Sequence, residues 1–324
     1  SSREATGVTI ELAPSGDKAI GGTGDPLELL LRGEYRDPEG DARIGVATRS
    51  LVIADTLAGR EADLVARLGF GRKLAVVSDP TTHEVLAARL ESALAGRYEV
   101  QSLTLPKGVV PDDATVARLR SAAGKADAFI AVGSGTLNDL TKYASALERK
   151  PYAVFATAPS MNGYVSLTAS ITVGGHKLTL PAQAPAGAFF DLGVLAAAPH
   201  RMIRAGLGDS ICRTTAQADW LLSHLLLGTP YRQLPFALLT QDEETLLDQA
   251  AELTRGSLEA IRTLTRTLVL SGFGTAIVGS SAPASQGEHL VSHFLDMLEP
   301  AGRPAVFHGE QVGVVVVDRF AARL

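Results

Sequence analysis

Short apolar runs alternate with amphipathic stretches from about residue 50 onward, and this alternation is the main structural signal in the chain. Apolar runs of this kind predict strands, and stretches with helical periodicity predict the crossover helices between them. The predicted strands are 74–77, 98–105, 128–132 and 152–155, and the predicted helices are 82–94, 112–123 and 137–148. Repeated strand–helix–strand units predict a parallel, doubly wound sheet.

A hairpin follows these units. Residues 166–173 alternate in polarity, and Gly174-Gly175 separates them from residues 177–180. Because Gly-Gly supplies the positive φ angles that a tight turn needs, we expect a hairpin appended to the sheet, and residues 188–192 give one more short strand. Residues 1 to about 45 differ: glycine, proline and acidic clusters interrupt them, and we expect little core there.

The strand signal fades after about residue 195, and helical periodicity dominates the rest of the chain. Pro199 suits a helix start, and Gly228-Thr229-Pro230 suits a helix stop. A chain of 324 residues is long enough for two domains. We therefore predict an α/β domain over residues 1–195, with 1–45 as an uncertain extension, and a mainly helical domain over 196–324.

Composition and charge narrow the class of protein. Apolar residues make up 46% and charged residues 20% of the chain, as in a globular enzyme, and the net charge of -5 removes a general attraction to nucleic acid or anionic membranes. The single cysteine, Cys212, cannot form an intrachain disulfide or a cysteine-based zinc site. Without an apolar run of about 18 residues or a signal peptide, the sequence predicts a cytoplasmic protein with no membrane span.

The first candidate site is a dinucleotide site. Gly133-Ser134-Gly135-Thr136 lies directly between a predicted buried strand and a predicted helix. Glycines at this junction let backbone N–H groups approach a pyrophosphate at a helix amino terminus, although a tight strand-to-helix turn has the same pattern. Asp79 ends the earlier strand, where an acidic side chain can bind a ribose diol, or can simply cap a turn or helix.

The second candidate site is a metal site. His289 and His293 are four residues apart on a predicted helix and therefore share a face, and His308 follows within twenty residues. Three of the seven histidines thus fall within residues 289–308, and neutral imidazoles suit zinc, nickel or iron(II). Structural histidines would give the same pattern on spacing alone.

Asp209 is the candidate acidic ligand for that metal. It ends the segment Ala205-Gly206-Leu207-Gly208-Asp209, whose glycines we expect to interrupt one helical run so that Asp209 opens the next. A carboxylate at a helix start serves as an N-cap, which is the simpler explanation of its position. Beside the histidines it becomes a candidate ligand, and the set leaves an ion with net positive charge.

Several of these motifs, taken in order, resemble those of a known family. The matching segments are GSGTLNDLTKY at 133–143, TAPSMNGY at 157–164, AGLGD at 205–209, Asp219-Trp220, Ser292-His293 and HGEQVG at 308–313. In this order they resemble the glycerol-1-phosphate dehydrogenases, including the bacterial form called AraM, of the dehydroquinate synthase-like superfamily. The resemblance runs from about residue 50 to the end of the chain.

The resemblance implies a Rossmann-like dinucleotide domain facing a helical domain, with a divalent metal in the cleft between them. Zinc is the metal expected first, and nickel and iron are the alternatives. It assigns the metal to Asp209, His289 and His308, and it places His293 beside the metal as a catalytic residue. Lys177 resembles a lysine near phosphate or substrate oxygens, although an exposed hairpin lysine fits equally well. The cofactor contacts that it implies are Asp79, Gly133, Ser134, Gly135, Thr136, Asp139, Thr157 and Ser160.

The chain departs from the family pattern in three places. Asn162 stands where the family usually has Asp, so a hydrogen bond to substrate is kept while a negative charge is lost. Residues 1–45 have no recognised counterpart. The chain also ends soon after the His308 motif, so we expect a helical domain that is truncated relative to the family.

The implied reaction is reversible hydride transfer between NAD(H) or NADP(H) and a phosphorylated small molecule, dihydroxyacetone phosphate or glycerol 1-phosphate. His293 or a water at the metal would relay the proton, and a carboxylate at Asp79 favours NADH. A homo-oligomer is expected. The alternatives are an unphosphorylated polyol dehydrogenase, a dehydroquinate synthase-like cyclase, and a non-catalytic nucleotide-binding homologue.

Overall fold

A computed structural model describes residues 9–12, 24–298 and 306–321. A parallel sheet of seven strands, in the order β1-β4-β11-β8-β7-β5-β6, forms its centre. The strands are β1 (Thr9–Leu12), β2 (Tyr35–Arg36), β3 (Arg43–Ile44), β4 (Ser50–Ala54), β5 (Lys73–Ser78), β6 (Glu99–Thr104), β7 (Ala128–Gly133), β8 (Tyr152–Ala156), β9 (Thr168–Val173), β10 (His176–Pro181) and β11 (Gly187–Asp191).

Helices flank the sheet, and the regular elements that follow β11 in the described part of the chain are all helices. They are α1 (Pro26–Arg32), α2 (Glu61–Ala66), α3 (Pro80–Thr82), α4 (Ala88–Leu94), α5 (Asp113–Ala122), α6 (Gly135–Leu147), α7 (Leu192–Ala196), α8 (His200–Ile211), α9 (Arg213–Leu227), α10 (Leu234–Ala237), α11 (Thr240–Asp248), α12 (Ala250–Leu253), α13 (Leu258–Val278), α14 (Gly287–Leu298) and α15 (His308–Ala321). A π-helical turn, His83–Ala87, joins α3 to α4. Among the described residues, none of these helices combines the length and apolar character needed to cross a membrane.

The central strands are buried on both faces, which explains their continuous apolar runs. Alternate residues enter two cores: Val77 and Phe129 join one, and Val76 and Ile130 join the other. The predicted strands 98–105, 128–132 and 152–155 are confirmed as β6, β7 and β8, and the predicted helices 112–123 and 137–148 as α5 and α6. Gly228 also ends α9 as predicted, with φ 68°.

The sequence interpretation missed β4, which pairs with both β1 and β11 within the sheet. Its residues are Ser-Leu-Val-Ile-Ala, and Leu51, Val52 and Ile53 are almost fully buried. An apolar run this short does not distinguish a strand from a buried piece of helix by periodicity. The sheet therefore begins earlier in the chain than residue 74.

The expectation of little core before residue 45 is wrong for the segment around α1. Leu27 and Leu30 are fully buried and Leu31 nearly so. Asp25 caps the helix through a hydrogen bond from the Leu27 amide, and Pro26 occupies its first turn. The Asp-Pro-Leu sequence is thus a helix start followed by an apolar face, and not an interruption.

The predicted hairpin is present, but it is not part of the main sheet. Strands β9 and β10 form a separate antiparallel pair, turned by Gly174 and Gly175 at φ 58° and 83°. The hairpin packs on α6 and on α14. It therefore connects the helix of the glycine-rich motif with the helix of the histidines.

The predicted helix break before Asp209 is also wrong, since α8 runs without interruption through Gly206 and Gly208 and contains Asp209 in its last turn. The two glycines allow α8 to pack closely against the backbone of neighbouring segments. A Cβ on Gly206 would lie 1.8 Å from the carbonyl oxygen of Pro159, in the loop after β8. Asp209 is therefore not an N-cap, and its carboxylate is available for another purpose.

Candidate metal centre and cofactor cleft

Three elements bring Asp209, His289 and His308 together. They lie within α8, near the start of α14 and at the first position of α15, respectively. The Asp209 Oδ1 atom is 3.6 Å from His289 Nε2 and 4.0 Å from His308 Nε2. One ligand atom from each residue lies within 4.8 Å of the other two, so the set is compact enough to hold a single ion.

The two oxygens of Asp209 have different surroundings. Oδ2 accepts a hydrogen bond of 2.8 Å from the backbone amide of Asn162. Oδ1 is buried between the two histidines and has no hydrogen-bond partner among the described residues. A buried carboxylate oxygen without a partner is unfavourable, and a cation at this point would satisfy it.

The charges around the set also favour a cation. Burial opposes ionisation of Asp209, but the neighbouring imidazoles of His289 and His308 hold the pKa of the carboxyl below its ordinary value. Burial likewise lowers the pKa of His289, but Asp209 and Glu288 outweigh it and raise that pKa to about 9. The space between these two carboxylates therefore attracts positive charge.

His308 and His293 are held neutral. Burial, with the neighbouring charge of His289, lowers the pKa of His308 to about 3. Burial, with the charge of Lys177, lowers the pKa of His293 to about 4. The ring centroid of His293 lies 5.6 Å from that of His308 and 6.3 Å from that of His289, so His293 is a neighbour of the set and not one of its three members.

A cavity of about 240 Å³ lies at the amino terminus of α6. Ser134, Gly135 and Thr136 line it, and Ser134 makes no side-chain capping bond, so the amides of the first helical turn face the cavity without a side-chain cap. Ser160 and Asp139 line it as well. Such an uncapped terminus suits a phosphate group.

A smaller cavity of about 120 Å³ adjoins it on the side of the metal candidates. Asp139, His293 and His308 line both cavities, and Asn162, Asp209 and His289 line the smaller one. Much of the remaining lining is hydroxyl groups, from Ser166, Thr168, Ser170, Thr179, Thr275, Ser281 and Ser285. The smaller cavity therefore offers many neutral hydrogen-bond donors and acceptors.

Three of the predicted cofactor residues, Asp79, Gly133 and Thr157, lie outside the lining of these cavities. Asp79 accepts a hydrogen bond of 2.7 Å from the Thr82 amide and forms a capping box with it, as the simpler interpretation of this residue held. Thr157 is buried, and its amide bonds the Gly133 carbonyl oxygen. Gly133 itself packs against Leu137, where a Cβ would clash.

The remaining predicted residues have partners that were not foreseen. Lys177 lines the larger cavity and forms an ion pair with Asp296 of α14. The Asn162 side chain donates a hydrogen bond of 3.3 Å to Ser271 of α13.

Sequence reasoning missed two charged groups near the site. Glu288 is fully buried, and its Oε1 accepts a hydrogen bond of 2.9 Å from His289 Nδ1. Lys142 is also fully buried, and its Nζ donates to Gly163 O, Ser166 Oγ and Thr168 O. A carboxylate directly before a candidate histidine ligand was the available signal for Glu288; for Lys142, nothing local distinguished it from an exposed helical lysine.

Comparisons with known proteins agree with this geometry. The iron-containing alcohol dehydrogenase family matches residues 52–199. The glycerol-1-phosphate dehydrogenase [NAD(P)+] of Thermococcus kodakarensis is 34% identical over 268 residues, covering 82% of this chain and 75% of the relative. The enzyme of the same description from Bacillus subtilis is 30% identical over 285 residues, covering 86% of this chain and 72% of the relative.

The fold is also similar to solved structures. The crystal structure of glycerol dehydrogenase from Schizosaccharomyces pombe matches with a TM-score of 0.68 at 19% identity, over 88% of this chain and 74% of that one. At this identity the likeness concerns the fold alone. The sequence relatives decide the family: the chain belongs to the glycerol-1-phosphate dehydrogenases, within the iron-containing alcohol dehydrogenases.

Proposed function

We propose that this protein is a metal-dependent dehydrogenase that interconverts dihydroxyacetone phosphate and glycerol 1-phosphate with NAD(H) or NADP(H). The observation that carries the proposal is Oδ1 of Asp209, which accepts no hydrogen bond within the described part of the chain and lies between His289 and His308, beside the cavity at the start of α6. When bound, the nicotinamide exchanges the hydride and a divalent ion supplies Lewis acidity toward the substrate oxygen.

Asp209, His289 and His308 would hold the ion. One carboxylate and two imidazoles form a mixed oxygen and nitrogen donor set, which suits zinc, nickel or iron(II), and leaves coordination positions open. We propose zinc, because it accepts such a set without demanding a particular geometry. The fully buried Glu288 would orient His289 by accepting a hydrogen bond from its Nδ1 atom.

The amino terminus of α6 would hold the cofactor pyrophosphate. Ser134, Gly135 and Thr136 line the cavity there. Thr157 and Ser160 belong to the neighbouring loop after β8, since β7 and β8 are paired and end together. Asp79 directly follows β5 at the same edge of the sheet, where it would bind the ribose and favour NADH.

The substrate would occupy the smaller cavity. His293 lines both cavities, so its imidazole is placed between the cofactor side and the metal side and is our candidate for proton relay. Asn162 and the surrounding hydroxyl groups would bind the substrate hydroxyls and the phosphate with neutral hydrogen bonds. The division into domains at about residue 195 remains part of this proposal, with the site between the sheet edge and the helices.

The experiment is a substrate panel on protein reconstituted with zinc, nickel or iron(II). Dihydroxyacetone phosphate, dihydroxyacetone, glycerol and the glycerol phosphates are tested while nicotinamide absorbance is followed. We expect turnover of dihydroxyacetone phosphate and glycerol 1-phosphate, and loss of ion content and turnover in Asp209→Asn. Equal turnover of the unphosphorylated compounds would indicate a polyol dehydrogenase, and an ion retained by Asp209→Asn would contradict the assigned site.

A further inference from the structure

A chain of polar side chains connects the β9–β10 hairpin to His308. Lys177 pairs with Asp296 Oδ2, and Asp296 Oδ1 is 2.9 Å from Gln311 Nε2. Gln311 Oε1 is 2.5 Å from Ser292 Oγ, which in turn lies 3.1 Å from His308 Nδ1. The far nitrogen of that ring, Nε2, faces Asp209.

The chemistry of the members fixes the direction of every bond in this chain. An ionised carboxylate only accepts hydrogen bonds, so Gln311 must present its NH₂ group to Asp296. Its carbonyl oxygen then faces Ser292, whose single hydroxyl proton must point toward it. Ser292 can therefore only accept from His308, which requires a proton on His308 Nδ1.

Because these groups are buried, the direction of their hydrogen bonds cannot easily be reversed. Ser292 is fully buried and Gln311 is 8% exposed, so bulk water cannot replace a lost partner. The opposite tautomer of His308 would bring two acceptors together at the ring nitrogen and Ser292, or would force Ser292 to abandon Gln311. The favourable hydrogen-bond balance is reached with one tautomer, in which Nε2 carries a lone pair aimed at Asp209.

We propose that Gln311 and Ser292, oriented by the Asp296–Lys177 pair, are positioning residues that set the tautomer of His308 and so prepare its Nε2 for the ion. Groups of this kind orient a histidine ligand and raise its basicity. Lys177 is then the first member of this series of hydrogen-bonded side chains, and Asp296 balances its positive charge. His289 is prepared differently, by direct contact with the Glu288 carboxylate.

The proposal rests on the proposed function only in that an ion binds at this site, and the test separates the two. Long-range ¹H–¹⁵N correlation of protein selectively labelled at histidine, recorded without metal, reports the tautomer of each ring. We expect His308 to carry its proton on Nδ1 in the natural protein. A His308 protonated at Nε2 would overturn the proposal, whatever activity the enzyme has.

Ion affinity supplies the second measurement. Zinc is titrated against a chromophoric chelator into Ser292→Ala, Gln311→Met and Thr265→Val, the last of which removes a hydroxyl that is buried within α13. We expect Ser292→Ala and Gln311→Met to bind zinc about 10–100-fold more weakly than the natural protein. Thr265→Val should bind it equally well, with similar metal-free thermal unfolding in all three variants. Natural affinity in both chain variants would overturn the proposal.

Discussion

Gly208 and Gly309 lie against each other where α8 crosses α15. A Cβ on Gly208 would lie 2.1 Å from the Gly309 carbonyl oxygen, and one on Gly309 would lie 1.9 Å from the Ala205 carbonyl oxygen. The helices can approach this closely only because neither residue has a side chain. Asp209 follows the first glycine and His308 precedes the second, so this crossing brings two of the three candidate ligands together.

Gly208→Ala should therefore disturb both stability and the site. The added methyl group meets backbone, which cannot rotate away, and overpacking of this kind costs about 1–3 kcal/mol. We expect the free energy of unfolding to fall by roughly that amount in urea. We also expect zinc affinity to fall by at least about tenfold, since ligand distances tolerate only about 0.2 Å.

Gly96→Ala is the matched control. A Cβ at Gly96 meets nothing within 4 Å, so the change in unfolding free energy should stay within about 0.5 kcal/mol and zinc binding should be unchanged. Gly208→Ala with natural stability and affinity would mean that the crossing has room to adjust.

Lys142→Met should destabilise the loop that carries Asn162. The buried ammonium donates to three acceptors between Gly163 and Thr168, and methionine fills similar space without any donor. Removing one member of a buried charged network costs about 3–5 kcal/mol. Chemical denaturation measures the loss, and Lys125→Met, on an exposed lysine, should leave stability nearly unchanged.

Glu288→Gln tests the support of His289. The amide oxygen can still accept from His289 Nδ1, but the negative charge that makes the ring a better ligand is gone. We expect zinc affinity to fall about tenfold while the fold is kept. The exposed Glu259→Gln on α13 should bind zinc normally, and equal affinities in the two variants would leave Glu288 a purely structural role.

The parts of the site that sequence reasoning located are those whose chemistry is local. The Gly133–Thr136 motif adjoins β7, and His289 and His293 share one helical face because of their spacing alone. The order of strand and helix around them follows from periodicity over ten or fewer residues. Fold class and candidate ligands could therefore be predicted together.

The parts that it could not locate depend on contacts between distant segments. The glycines before Asp209 suggested a helix break, but they instead accommodate Pro159 and Gly309, which are far away in the chain. Lys177 seemed free for substrate because its partner, Asp296, lies 119 residues later. The residues next to a glycine or a charged residue in the sequence do not show which distant segment it will contact.

Asn162→Asp is the variant that tests substrate choice. Its backbone amide donates to Asp209 Oδ2 and its side chain donates to Ser271, so residue 162 lies within the cavity assigned to substrate and beside the ligand set. An aspartate there adds a negative charge that disfavours an anionic substrate more than a neutral one. We expect the ratio of kcat/KM for dihydroxyacetone phosphate over dihydroxyacetone to fall by roughly tenfold, equivalent to about 1.4 kcal/mol in transition-state binding.

Asn162→Ala removes the amide without adding charge, so it should lower both values and leave their ratio close to that of the natural protein. If Asn162→Asp also leaves the ratio unchanged while both substrates are turned over, the Asn162-Gly163 pair only shapes the loop, and the selectivity for phosphate must reside in the hydroxyl groups around it.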